Sequence, residues 1–356
     1  MKRYITNWLM LALFAMVTTT FFSCEKDENG GSSASSNPKI DKIDPERGAS
    51  NEVLTITGSG IGGMTSIVFE QDSVAAPFNP NFNTDHALIF RIPEAAVPGQ
   101  QNIIFRNSKG VEIKVPFMVL GLPRITESSQ YSFTDGTEVT LTGKNLDDVT
   151  KVAYAGTTDA LSIISKSATS LKIKMKGTTL NSVKFAITNE AGTITTTQEL
   201  INLDHAYSFF TEGFDNGWEN GSWGAAEVSS DFARSGSKSF KVTYAKGNWS
   251  ANGFASWSKG LDYTDEYKYL SFWVKGGPAD YTFYITGDQR EGGYGNADRS
   301  YPIVIPKEVW TYFKIKLSDL QLWKKGTNFK QLGFWIPGPD DQDVSLYFDD
   351  VLLIRE

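Results

Sequence analysis

Indole rings are the most concentrated chemical resource in this chain of 356 residues: it has nine tryptophans, and eight of them follow Asp204. These eight are Trp218, Trp223, Trp249, Trp257, Trp273, Trp310, Trp323 and Trp335, more than one small core can hide. No set of His, Cys or Lys residues that would suggest catalysis accompanies them. The histidines are two, His86 and His205, neither with a partner nearby in sequence, and there is one cysteine. A flat ring without a catalytic partner is suited to stacking on a flat ligand face, worth about 1 kcal/mol beyond burial, with edge hydrogen bonds netting about 0.5–1.5 kcal/mol each. Binding is therefore the expected chemistry, with no catalytic residue. The alternative is hydrolysis, which needs only two carboxylates at a fixed separation. Asp288, Glu291, Asp340, Asp341, Asp343, Asp349 and Asp350 are available for it.

The elements that position these rings read as strands. From residue 206 on, apolar residues alternate at period 2 over 238–244, 269–275, 281–286, 310–317, 331–336 and 345–354, and helix signals are nearly absent. In YLSFWVKG (269–276), Leu270, Phe272 and Val274 share one face and Trp273 takes the other; in QLGFWIPG (331–338), Leu332, Phe334 and Ile336 oppose Trp335. In YTFYITGD (281–288), Phe283 and Ile285 face inward and Tyr284 outward with Thr282 and Thr286. Polar loops carry a second group: Trp249 and Trp257 among Asn and Ser, Tyr294 among glycines, and Trp323 in LQLWKKGTNF (320–329). The expected contact set is thus Trp273, Trp335, Trp257, Trp249, Trp323, Tyr284 and Tyr294. Gln289 and Arg290, with Asp288, Glu291 and Asn296, are available for edge hydrogen bonds. Trp218 and Trp310 are expected to seal the sandwich ends.

The formal net charge is −7. Phosphate binding needs clustered Lys and Arg, so nucleic acid and anionic membranes are excluded as partners, and a neutral or weakly cationic ligand fits better. Residues 1–24 combine Lys2 and Arg3 with an apolar run over 8–22, interrupted by Thr18, Thr19 and Thr20, and end on Cys24. That is the pattern of an export signal. Residues 25–37 begin with Glu25, Lys26, Asp27 and Glu28 and continue as NGGSSASSN, too polar to repay ordering, hence a tether.

An internal repeat at a spacing of 85 residues follows. LTITGSGI (54–61) aligns with VTLTGKNL (139–146), Pro38 with Pro123, and Gly58 with Gly143. Alternation makes both stretches half-buried strands, and the glycines are expected to supply positive φ for the turn after each. Short strands at intervals of roughly ten residues, separated by Pro98-Gly99 and Lys109-Gly110, suggest a small β-sandwich.

Four resemblances rest on these residues. Cys24 with its leader resembles a bacterial lipobox, although Phe21 and Phe22 replace the usual Leu and small residue; the resemblance implies lipidation of Cys24. The cluster at 25–28 looks like the export tag of Bacteroidetes surface lipoproteins. Pro38, Ile40, Ile43, Pro45, Gly48, Ile56, Gly58, Gly60, Asn107 and Gly110 resemble the IPT/TIG immunoglobulin-like family. A second, degenerate copy keeps Pro123, Ile125, Gly136, Gly143, Asn189 and Gly192. GFDNGW (213–218), SGSKSFKV (235–242), YLSFWVKG, VWTYFKIKLSDL (309–320) and YFDDVLL (347–353) follow the order of jelly-roll carbohydrate-binding modules.

The expected architecture is all-β: signal peptide at 1–24, tether at 25–37, IPT/TIG domains at 38–120 and 121–202 acting as spacers, and a jelly roll at 203–356. The combination resembles a surface glycan-binding lipoprotein of a Bacteroidetes polysaccharide-utilisation system. The resemblance implies a non-catalytic protein anchored to the outer membrane and exposed at the cell surface, with a neutral polysaccharide of β-glucan, xyloglucan or mannan type as ligand and a TonB-dependent transporter complex as partner. No cofactor is implied beyond a structural calcium ion; similar modules use a pair such as Asp349 and Asp350 either structurally or to hold calcium. The rival reading is an adhesin or assembly protein whose aromatic face meets another protein.

Overall fold

The computed structural model describes residues 33–295 and 299–355. Trp8, Cys24, the 25–28 cluster and Asn296 lie outside them. Among the described residues the only α-helix is a single turn, Leu317–Leu320, and no helix is long and apolar enough to cross a membrane. The fold is all-β, and it divides into two compact units that meet at Gly121 and Leu122.

The first unit is a β-sandwich. Val53–Ser59 lies between Lys39–Asp44 and Ala87–Arg91, and a five-stranded sheet centred on Gly99–Asn107 forms the other layer. Leu54 and Ile56 are fully buried with Phe69, Phe105 and Phe117, as their alternation requires. The repeat holds in three dimensions, but the role expected of its glycines does not. Gly58 and Gly143 do not adopt positive φ; that conformation falls two residues later, on Gly60 (φ 65°) and its counterpart Asn145 (φ 58°), a left-handed position that Asn tolerates. Gly58 and Gly143 are needed for closeness instead. A Cβ on Gly58 would sit 2.1 Å from the carbonyl oxygen of Lys39, and one on Gly143 1.8 Å from that of Arg124. Each glycine lies at a register shift where the first strand of its sandwich bulges over it. The paired Asn107 and Asn189 also act alike. Asn107 Oδ1 accepts from the backbone of Lys109 and Val111, and Asn189 Oδ1 from that of Ala191 and Gly192, fixing the same hairpin turn.

The second unit holds two cores. One comprises Phe133, Val139, Leu141, Tyr154, Phe185 and neighbours from residues 125–200. The other is the aromatic core of the last sandwich. That sandwich packs a six-stranded sheet, in which Ala225–Ser229, Ser239–Tyr244, Val344–Ile354, Tyr269–Lys275 and Trp310–Lys316 run in order and Tyr207–Phe210 joins Val344–Ile354. The facing sheet is Glu219–Asn220, Ala251–Ala255, Gln331–Trp335, Tyr281–Gly287 and Ile303–Ile305. Phe272, Phe283, Phe334 and Phe348 meet between them, with the Phe334 and Phe348 rings stacked at 4.1 Å. Trp218 belongs to this core at 3% exposure. Trp310 does not: it pairs with Lys275 on the outer side of its strand and is half-buried.

A phase change in the longest strand joins the two bodies. In Val344–Ile354, residues 344, 346 and 348 point into the core, and so do 351 and 353. The change falls at Asp350, whose φ is 44°, where the pairing with Tyr269–Lys275 shifts register. Without this bulge one of the two adjacent aspartates would enter the apolar core; with it, both stay outside. Ser132 donates to Asp350 Oδ1 at 2.8 Å, the amide of Tyr131 to Ser235 Oγ at 2.9 Å, and that of Gly236 to the Ser129 carbonyl at 3.0 Å. Ile201, Leu352 and Ile354 form a small apolar cluster beside them. The sandwich before residue 202 is thus seated on the outer face of the six-stranded sheet.

Candidate functional site

Trp273 lies on that seated face. It turns away from the core as the alternation requires, yet Tyr131 from the preceding body lies 4.8 Å from its ring, Tyr312 5.1 Å, and the Arg234 guanidinium 4.5 Å. The expectation of an open groove there is corrected: one sandwich covers what the other leaves bare.

The facing sheet offers the better surface. Trp335 lies between Ala251 and Tyr284 in register, so the three form one row across adjacent strands on the side away from Leu332 and Phe334. The next row, Gly253, Gly333 and Thr286, has almost no side-chain bulk. Into that space folds the loop after residue 287. Thr286 Oγ1 donates to the carbonyls of Gly293 and Tyr294 at 3.1 and 2.9 Å, and the Tyr294 ring lies on Gly333, where a Cβ would come within 2.6 Å of it. Tyr294 donates its hydroxyl to the Gly221 carbonyl at 3.0 Å and is 5% exposed, and burial pushes its ionisation upward. Tyr294 is therefore floor rather than a free loop ring. Arg290, expected at the ligand's edge, is buried as well, its guanidinium donating to the Ile285 carbonyl. This loop packs because small residues beneath it leave room, which its polar composition does not show.

Trp335 is correspondingly 6% exposed, enclosed by Tyr284 at 5.8 Å, by Trp249 edge-on at 6.3 Å and by Arg299, whose guanidinium lies 4.9 Å from its ring and 5.6 Å from that of Trp249. Two indoles stand proud of this floor. Trp249 is 53% exposed and leads into Ala251–Ala255. Trp223 is 60% exposed, donates its amide to the Ala251 carbonyl at 3.1 Å and meets Tyr294 edge-on at 5.8 Å. Both open rings are thus tied to the same end of one strand, with Ala251, Tyr294 and Trp335 clustered between them and Tyr284 packed alongside. Trp223 and Arg299 were not singled out from sequence. Trp223 sits among Asn, Gly and Ser, the context that marks Trp249, and that resemblance was the usable signal; Arg299 carries none.

The remaining expected residues are elsewhere. Trp257 is 57% exposed but follows the far end of Ala251–Ala255, which puts about 13 Å of extended chain between its loop and that of Trp249. Trp323 is half core: its Nε1 donates to the Leu261 carbonyl at 3.1 Å and its ring packs on Phe329 at 4.7 Å. Its outer edge meets Tyr263 above a cleft of about 520 Å³. Gln289 is half-buried beside Gly326, and its carbonyl takes the amide of Lys325 at 2.6 Å.

The carboxylates considered for hydrolysis are mostly engaged in holding the chain. Asp288 accepts from the amides of Lys330 and Gln331, Asp343 from that of Lys246, and Glu291 pairs with Lys324. Asp349 accepts from the amides of Arg234 and Ser235 at 2.7 and 3.0 Å and from that of Asp350 at 2.8 Å, leaving little capacity for calcium. Among the described residues no three His, Cys, Asp or Glu side chains gather as a metal site. Burial raises the pKa of both Asp349 and Asp350, and the charge of Asp350 raises that of Asp349 further.

No protein-family model matches the chain, and no curated protein does. Solved structures similar to it include a surface glycan-binding protein from Prevotella bryantii, with 17% identity over 91% of this chain and 100% of that one and a TM-score of 0.37. A second, from a xyloglucan utilisation locus of Bacteroides uniformis, has 18% identity over 90% and 100%, with a TM-score of 0.40. A third, a family 11 carbohydrate-binding module of a Clostridium thermocellum cellulase, has 15% identity over 42% of this chain and 95% of that one, with a TM-score of 0.30. At these identities and scores the likeness says nothing about the ligand, which has to be read from the site.

Proposed function

We propose that this chain is a non-catalytic polysaccharide-binding lipoprotein of a bacterial cell surface, anchored through Cys24, that presents the Trp223–Trp249 face of its last sandwich to a neutral glycan of β-glucan, xyloglucan or mannan type. One observation carries the reading: two tryptophans more than half exposed flank a packed aromatic floor on a single sheet face. A pyranose lays its C–H face on such a ring, and each stack adds about 1 kcal/mol beyond burial. Two stacks with edge hydrogen bonds give dissociation constants of roughly 10 μM to 1 mM. Many anchored copies on one polymer raise that by avidity, which suits capture for neighbouring enzymes and a TonB-dependent transporter.

Affinity electrophoresis through gels containing each polysaccharide tests the reading. The wild-type chain is retarded by at least one polymer, and the Trp223→Ala, Trp249→Ala double variant migrates freely with an unchanged circular dichroism spectrum. Equal retardation of the two rejects this site. Absence of retardation in every gel points to a protein partner instead, and new reducing ends after incubation identify a hydrolase.

A further inference from the structure

A cavity of about 320 Å³ opens where the sandwich before residue 202 sits on the six-stranded sheet, inside the compact unit that starts at Leu122. Its size falls within the range of ligand pockets, about 300–1,000 Å³. Trp273 and Tyr312 wall one side, and Tyr312 remains 37% exposed. Three of its lining residues hold buried polar atoms that make no hydrogen bond of good geometry, Asp350 Oδ2, Ser271 Oγ and Arg234 Nε, although the Tyr312 hydroxyl lies near Ser271 and Ser235 near Asp350. Buried polar atoms in folded proteins are nearly always paired, and an unpaired one costs about 1–3 kcal/mol, so a concentration of them around one cavity calls for an occupant that supplies donors and acceptors.

The wall chemistry narrows that occupant. The Arg234 guanidinium is already bonded to Glu127 at 2.7 Å and to the Tyr131 hydroxyl at 2.6 Å, which leaves few of its donors for an anion. A buried aspartate next to a second carboxyl disfavours an anionic ligand, and Arg234 over the indole disfavours a cationic one. What fits is a small uncharged molecule with one flat apolar face and several hydroxyls.

We propose that this cavity is a second carbohydrate site, sized for one neutral sugar residue, in which Tyr312 and Trp273 meet the apolar ring face and Asp350, Ser271 and Arg234 meet the hydroxyls. The site is separate from the Trp223–Trp249 face and stands whether or not that face binds a polymer. Because both bodies contribute walls, an occupant favours their seated arrangement and raises the melting temperature of the unit.

Saturation-transfer NMR and thermal melts of the purified chain with millimolar D-glucose, D-xylose, D-galactose and D-mannose provide the test. At least one sugar is expected to bind in the millimolar range and raise the melting temperature. Thr197→Trp, which fills the cavity from its exposed rim, lowers that affinity at least tenfold, and the near-isosteric Asp350→Asn lowers it severalfold. The Trp223→Ala, Trp249→Ala double variant keeps the rise in melting temperature with the monosaccharide and keeps its sensitivity to Thr197→Trp. Monosaccharide binding lost in that double variant and untouched by Thr197→Trp overturns the cavity site while supporting the outer face. No monosaccharide bound by any form overturns it too and leaves the cavity to water. Cavity binding without retardation in any polysaccharide gel defeats the proposed function and leaves this inference intact.

Discussion

Single residues divide the aromatic set into rings that contact ligand and rings that hold shape. Trp223 and Trp249 are open, so replacing either with alanine is expected to weaken glycan binding about fivefold, the loss of one stack of about 1 kcal/mol, with the melting temperature unchanged. Titration calorimetry against the retarding polymer measures it. Trp335→Ala behaves differently: at 6% exposure, enclosed by Tyr284 and Trp249, its removal leaves a void and lowers both affinity and melting temperature. Trp273→Ala, for its part, is expected to leave polysaccharide retardation intact and to loosen the seat beneath Tyr131. The alternation of LSFWV and LGFWI tells which side of a strand each indole occupies. It does not tell what lies against that side, which is why two identically patterned tryptophans have different fates.

At the scale of elements, the bulge at Asp350 sets a pH dependence. Asp349 and Asp350 have their pKa values raised in the fold, chiefly by burial, with the charge of Asp350 adding to it for Asp349 and those of Glu212 and Asp215 for Asp350. A raised folded value means that the native state holds protons the unfolded chain would release. Their contribution is therefore complete below the ordinary aspartate value of about 3.9 and is lost as pH rises through the raised range. Thermal melts from acid to neutral pH are expected to show this decline, and Asp349→Asn or Asp350→Asn to flatten it; parallel profiles for wild type and both variants count against the assignment. The loop tied down by Thr286 makes a second element-scale case. Thr286→Val removes both hydrogen bonds to the Gly293 and Tyr294 carbonyls, so proteolysis within 288–295 should speed up and glycan affinity fall together.

For the whole molecule, the division at Gly121 and Leu122 makes the last two sandwiches one body. A fragment beginning at 203 strips Tyr269, Trp273, Leu352 and Ile354 of their cover, so it is expected to melt below a fragment beginning at 122, by scanning calorimetry; equal melting temperatures count against a stabilising seam. By itself the sequence determined the all-β class, the repeat at a spacing of 85, the inward and outward sides of the main strands, and the concentration of indoles after Asp204, because each of these depends on residue type at local periods of two or on direct self-similarity. Only the tertiary structure decided that Gly58 and Gly143 serve close backbone approach, that Tyr294 and Arg290 are packed away, that Trp223 is open, and that Trp273 is roofed by a neighbouring sandwich. Exposure depends on what a distant segment lays over a surface, and no local pattern of residues records that.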